Sequence, residues 1–360
     1  MKKLFKGLGM AVMLTGIVGT ISSCGGGAGG ETGGKTIEVL VQTADHGWTG
    51  AVQSYAKEKV DELNKADKYK VNLTACESAT IEANKIDDLL ARKDSLHGIV
   101  LLPIDNTLEA AVTKIAKANV PFVQFDRVIT TTAIENAPSR VANVLGDNYG
   151  IGVATAKRFI KDGITPADAS KVIIFPGDNS SVPVSRNNGF FDTLKKDGGW
   201  SDADIKKITM TDYTGWSRVK ARELLVSQGD KMTGFNWIFT HDSEIAMGIL
   251  EELKANNISK AVKDHFLNGG IKSLASSSGL DEMYAVLEDK HTGNYKENYS
   301  DKMDLFDVTY DPAMIKTAIS DLVDHIEGKK VEKNHVIPVS VVDKTNVNQF
   351  KGFGSGNYRK

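Results

Sequence analysis

The chain has 360 residues, 41% of them hydrophobic, with 44 basic and 46 acidic side chains and a formal net charge of −2. That balance supplies no basic field for nucleic acid. The two cysteines, Cys24 and Cys76, are too few for a disulfide framework, so stability rests on a buried core.

Lys2, Lys3 and Lys6 precede an uncharged stretch from Leu8 to Ile21, followed by the small residues Ser22 and Ser23. This order predicts an export signal over residues 1–23. Its apolar run is shorter than the ~20 residues of a membrane-spanning helix. Ile21-Ser22-Ser23-Cys24 resembles a relaxed lipobox, in which Cys24 is acylated and becomes the mature N-terminus; plain cleavage with Cys24 as an incidental thiol is the alternative. Residues 24–35 are mostly glycine and read as a tether between a lipid and a folded body. Loss of residues 1–23 removes three lysines and leaves 41 basic against 46 acidic side chains, a net −5. The expectation is an exported protein held on a bacterial membrane, in the periplasm or at the cell surface.

From Thr36 onward, short β-branched runs alternate with segments of helical period, the pattern of βαβ units. The strand-like runs cover residues 37–41, 69–75, 98–102, 121–125, 141–146, 171–175, 206–210, 235–240 and 265–268. Helices are expected over 51–64, 80–92, 107–118, 151–161, 185–196, 217–228 and 243–256, several opening on Ser, Thr, Asp or Asn. So many units exceed one open sheet, which predicts an α/β protein of two doubly wound parallel-sheet lobes.

Ligands of doubly wound sheets bind beyond the carboxyl ends of the strands. The residues there are Asp45 to Trp48, Asp105-Asn106, Asp126-Arg127, Asp147-Asn148, Asp178 to Ser180, Asp212 to Trp216, His241 to Ser243 and Asn268 to Gly270. Singly, each acid reads equally well as a turn former or helix cap. Together they suit a sugar, whose hydroxyls take planar polar side chains and whose C–H faces take aromatic rings such as Trp48 and Trp216. Arg186 sits just inside an expected helix, where a cation opposes the helix dipole, so something other than helix stability must account for it.

The segments VPFVQFDR, VANVLGDNYGIG, SRNNGF, FTHDSEIAMG, LNGG and VTYDP occur in that order between Thr36 and Val342. Over this span the chain resembles the periplasmic sugar-binding proteins of the ribose and galactose type, with the type I binding-protein fold. The resemblance implies three crossings between lobes, near Asp147, Tyr310 and Pro338. It divides the chain into an N-terminal lobe of 36–147 plus 311–338, a C-terminal lobe of 148–310 plus 339–350, and a polar tail of 351–360. It places Asp45 or His46 and Trp48, Asp126 and Arg127, Arg186 and Trp216 around a sugar, with Asp242, Asn268 and Tyr310 at positions where the family commonly has Asn, Asp and Gln or Asn. Asp147 and Asn148 join them at the first crossing. Closure of the lobes on a monosaccharide follows from the resemblance, since periplasmic binding proteins are a standard example of hinge motion. So does delivery to an ABC permease and its ATPase, or presentation to a membrane sensor, by a monomer.

No calcium loop is legible at KDGITPADAS, and no cofactor or metal is expected. A carbohydrate-acting enzyme is the rival class, but G-x-S-x-G, H-E-x-x-H and C-x-x-C are absent from the sequence. A repressor would need a helix-turn-helix in place of the export signal. Residues 271–304 look longer than the family's connection and are expected to form a loop at the cleft rim.

Overall fold

The computed structural model describes residues 35–44, 47–255, 257–295, 301–354, 356, 358 and 359. The export signal, Cys24, the tether, Asp45 and His46 lie outside the described residues.

Two six-stranded sheets are built in the same strand order. The first contains β1 (Thr36–Gln42), β2 (Lys70–Cys76), β3 (Leu96–Leu101), β4 (Phe122–Phe125), β5 (Arg140–Gly146) and β11 (Asn334–Ile337), ordered β2-β1-β3-β4-β5-β11. The second contains β6 (Val172–Phe175), β7 (Thr209–Met210), β8 (Trp237–Thr240), β9 (Ser273–Ser278), β10 (Asp304–Thr309) and β12 (Val341–Val342), ordered β7-β6-β8-β9-β10-β12. Every pairing is parallel except that of β10 with β12. Strands such as β1, β4, β6 and β8 are buried along their length because helices cover both sheet faces, which is why they read as continuous apolar runs.

In chain order the helices are α1 (Gly47–Lys65), α2 (Ala79–Ala91), α3 (Glu109–Lys117), α4 (Thr132–Glu135), α5 (Asn148–Lys161), α6 (Ser181–Gly198), α7 (Asp202–Ile205), α8 (Arg218–Gln228), α9 (Ser243–Lys254), α10 (Lys260–Leu267), α11 (Asp281–Leu287) and α12 (Met314–Ile326). Side chains of Ser78, Thr131, Asp147, Ser180, Ser217, Asp242 and Ser259 cap the helices that follow them. Such caps satisfy amide groups that have no partner inside the helix.

The chain passes between the lobes three times: from β5 into α5, from β10 into α12, and from β11 into β12. Backbone hydrogen bonds tie these passages together, Asp147 donating to Ile337 over 3.0 Å and Thr309 to Ser340 over 2.9 Å.

Two expectations need correction. Residues 265–268 end the helix α10 instead of forming a strand, and the strand that follows is β9, sequence SLASSS, which like β10, β11 and β12 is not among the expected runs. All six residues of β9 are buried although four are serines. Ser276 donates to Asp307, Ser277 to the His241 carbonyl over 2.8 Å, and Ser278 to Ser243 Oγ over 3.0 Å. Hydroxyls satisfied in this way can be buried at little cost, but they do not look like a core strand in sequence. The second correction concerns residues 273–287, expected within a rim loop: Ser273–Ser278 and Asp281–Leu287 form β9 and α11, regular elements of the second lobe, while residues 296–300 lie outside the described residues.

Candidate functional site

Each sheet has the order 2-1-3-4-5 over its first five strands, so each has a switch point where strand order reverses, between β1 and β3 in one lobe and between β6 and β8 in the other. Loops leaving the strands there form a cavity between the lobes. It spans about 410 Å³, part of it open to solvent. From the first lobe come Gln42, Trp48, Thr49, Leu102, Asp126 and Arg127; from the second come Val182, Arg186, Trp216 and Asp242, with Tyr310 at a crossing.

Tyr310 is the hub. Its hydroxyl donates to Asp126 Oδ1 and accepts from Asn148 Nδ2 over 3.1 Å, while its carbonyl accepts from Trp48 Nε1 over 2.9 Å. Its ring lies 5.6 Å from that of Trp48 and 4.9 Å from the Arg186 guanidinium. Gly146 makes room for it: a Cβ there would fall 2.2 Å from the Tyr310 ring. Burial, then the Asp126 charge, raises the Tyr310 pKa well above the ordinary value, so it is a neutral donor. Burial also raises the pKa of Asp126.

Arg186 is fully enclosed in α6. It donates from Nε to Asn148 Oδ1 over 2.9 Å and from Nη1 to the His241 carbonyl and to Ser277 Oγ, the last over 3.1 Å. A buried cation requires such partners, which accounts for an arginine placed against the dipole of its own helix. The same guanidinium stands 5.5 Å from the Trp216 ring, a cation–π contact.

Trp216 and Asp126 both have backbone φ near +60° (61° and 62°), a conformation that costs a bulky or acidic residue energy and is retained where surrounding structure enforces it. Trp216 Nε1 donates to Asp178 Oδ2 over 2.8 Å, and a Cβ at Gly177 would lie 2.3 Å from its ring. Asp178 also accepts from the Ser180 amide and faces Arg127 of the other lobe at 3.4 Å. Burial pushes the Asp178 pKa up, but those hydrogen bonds and Arg127 outweigh it and hold the pKa below the usual value.

Asp242 caps α9 through the Glu244 amide, 2.7 Å away, and burial raises its pKa to about 7. At the cavity Arg127 faces Asp178, whose pKa is held low, and Arg186 stands near Asp126 and Asp242, whose acidity burial weakens. A site for phosphate or carboxylate would carry surplus positive charge; this one is balanced and suits a neutral, hydroxyl-rich ligand.

The pattern of the family described as the periplasmic binding protein domain matches residues 37–330. The chain belongs to the periplasmic binding protein family. No curated protein matches it. Among solved structures it is similar to an ABC transporter solute binding protein from Mycobacterium smegmatis with bound glycerol, at 18% identity and TM-score 0.68, covering 91% of this chain and 99% of that one. It is also similar to an ABC transporter solute binding protein from Agrobacterium vitis with bound D-fucose, at 20% identity and TM-score 0.66, covering 87% and 97%. A galactofuranose binding protein matches at 17% identity and TM-score 0.65, covering 88% and 96%. At these identities the likeness establishes a shared fold.

In this periplasmic binding protein, seven of the residues singled out in the sequence line one cavity: Trp48, Asp126, Arg127, Arg186, Trp216, Asp242 and Tyr310. Asn148 lies behind them, bridging Arg186 and Tyr310. Asp147 faces elsewhere, its carboxylate capping α5 by accepting from the Gly150 amide over 2.7 Å. Asn268 is displaced altogether: it ends α10, ahead of β9, at the end of that strand opposite the cavity. HFLN is apolar enough to resemble a strand end in sequence, whereas the strand that reaches the site ends at Ser278. Gln42 and Ser277 are not among the residues named from sequence, and Asp178 is named only as one of the strand-end acids. Gln42 was detectable as a polar residue closing an apolar strand, and Asp178 as the acid after β6, while Ser277 gave no local signal.

Proposed function

We propose that this periplasmic binding protein is an exported lipoprotein that captures a neutral sugar, with a monosaccharide unit held in the inner cavity, by closure of its two lobes, leaves it chemically unchanged and hands it to an ABC importer. The observation that carries the reading is the charge-balanced cavity lined by an indole from each lobe, Trp48 and Trp216. A ligand favours a closed state only through contacts that the open state lacks, and groups from both lobes at one cavity supply them. The sugar ligands in the names of related structures support the class of ligand, and their description as transporter components supports the destination. Ile21 to Cys24 supports the lipid anchor.

A thermal-shift screen against common pentoses and hexoses tests the ligand class. A sugar at ~100 times its dissociation constant adds about 2.7 kcal/mol of stability. No shift with any neutral sugar, beside a shift with amino acids or sugar phosphates, would overturn the assignment. For the anchor, Cys24→Ser is expected to move the protein from the membrane to the soluble fraction.

A further inference from the structure

The cleft does not end at the inner cavity. Outside it lies a second chamber between the lobes, of about 670 Å³ including the part open to solvent. The first lobe contributes Asp105, Asn106 and Arg127 to its walls, and the second contributes Asp178, Asn179 and Ser181.

Arg127 belongs to both chambers and, with Asp178 at 3.4 Å, forms the partition between them. That partition is a built feature. The Arg127 guanidinium donates to the Ile104 carbonyl, and the Ile104 amide donates to Glu82 Oε2 over 3.0 Å, so a buried carboxylate anchors the strand end that holds the arginine.

The chemistry of the outer chamber differs from that of the inner one. Among the described residues no aromatic ring lines it. Asp105 and Asp178 are partly satisfied by the Thr107 and Ser180 amides, at 2.8 and 2.9 Å. The exposed Asn106 and Asn179 face the chamber from opposite lobes, and neither side chain makes a hydrogen bond among the described residues. An amide offers a donor pair and an acceptor in one plane, which matches neighbouring sugar hydroxyls. Two carboxylates against one guanidinium disfavour a phosphate or uronate.

We infer that the ligand is longer than one ring: a neutral disaccharide or glycoside, its terminal unit between Trp48 and Trp216 and its second unit in the outer chamber against Asn106 and Asn179. The linkage between the units passes where Arg127 and Asp178 meet, so their 3.4 Å contact opens when such a ligand binds and Arg127 is left to contact both units. This inference rests on the sugar-binding reading and extends it.

Calorimetric titration of the full chain in a sugar-free detergent tests it, with D-glucose, D-galactose, D-ribose and L-arabinose as single-ring probes. Maltose, cellobiose, lactose, melibiose and α-1,5-arabinobiose are the two-ring probes. At least one disaccharide is expected to bind about tenfold more tightly than its own constituent sugar. The double variant Asn106→Ala/Asn179→Ala should remove that gain while holding single-ring affinity within about twofold. Asn179→Tyr, which fills the chamber, should do the same. If a single sugar binds and every disaccharide containing it binds more weakly, the outer chamber is not a subsite and the sugar reading stands alone. If no sugar of either length binds, both fall.

Discussion

Trp216 Nε1 and Arg127 Nη2 converge on one oxygen, Oδ2 of Asp178, at 2.8 and 3.4 Å. One carboxylate thus orients an indole within its own lobe and reaches a cation of the other, so the geometry of the site is coupled to the closure of the lobes.

Two substitutions separate those roles. Asp178→Asn keeps an acceptor for the indole but removes the charge opposite Arg127, whereas Asp178→Ala removes both. The alanine variant is expected to weaken sugar binding by about tenfold more than the asparagine variant, as befits loss of a hydrogen bond to a charged group. Equal affinities by calorimetry would show that the indole does not depend on this bond.

The indoles themselves cannot be removed without consequence. Trp48 and Trp216 are 6% and 9% exposed, and Trp48 also stacks on Phe125 at 6.0 Å with the rings 8° apart. Alanine at either position is expected to cost about 3 to 5 kcal/mol of stability as well as affinity. Tryptophan-to-phenylalanine variants are the better probes: Trp216→Phe should melt close to wild type yet bind sugar more weakly, because the bond to Asp178 is lost. Unchanged binding would remove Trp216 from the site.

Gly146 and Gly177 leave room for Tyr310 and Trp216, and a Cβ would approach those rings to 2.2 and 2.3 Å. Gly177→Ala should therefore displace the indole and lower affinity by about tenfold or more, with a native far-ultraviolet spectrum. Full affinity in this variant would mean that the ring can move without affecting the ligand.

Burial raises the carboxyl of Asp242 to about 7 and that of Asp307 to about 6, both above the ordinary aspartate value of about 3.9. Across this window the folded chain holds protons that the unfolded chain releases, so their contribution to stability is complete in acid and is lost as pH rises through the folded values. Asp242→Asn keeps a capping side chain but cannot titrate. Its melting temperature is expected to fall less than that of the wild type between about pH 5 and about pH 8. Parallel melting curves against pH would show that Asp242 ionises normally.

Seven of the site residues named from sequence share a cavity because strand-end loops are local features: an apolar run, a polar tip and a capping residue all lie within a few positions. The same locality explains the helices, most of which begin and end within about four residues of their expected limits. Asn268 and the serine strand β9 escaped for the opposite reason. Burial of SLASSS depends on Asp307, Ser243 and the His241 carbonyl, partners about 30 or more positions away that no local pattern contains.

The sequence by itself determined the alternation of strands and helices, the two-lobed class and the polar character of the strand ends, since each follows from short-range periodicity and capping. Only the tertiary structure decided which strand ends meet, that both indoles are half-spoken for by Tyr310, Asp178 and Arg186, and that Arg127 divides the cleft into two chambers. Those relationships join residues on different lobes, and their energies depend on burial and charge pairing that exist only once the sheets face each other.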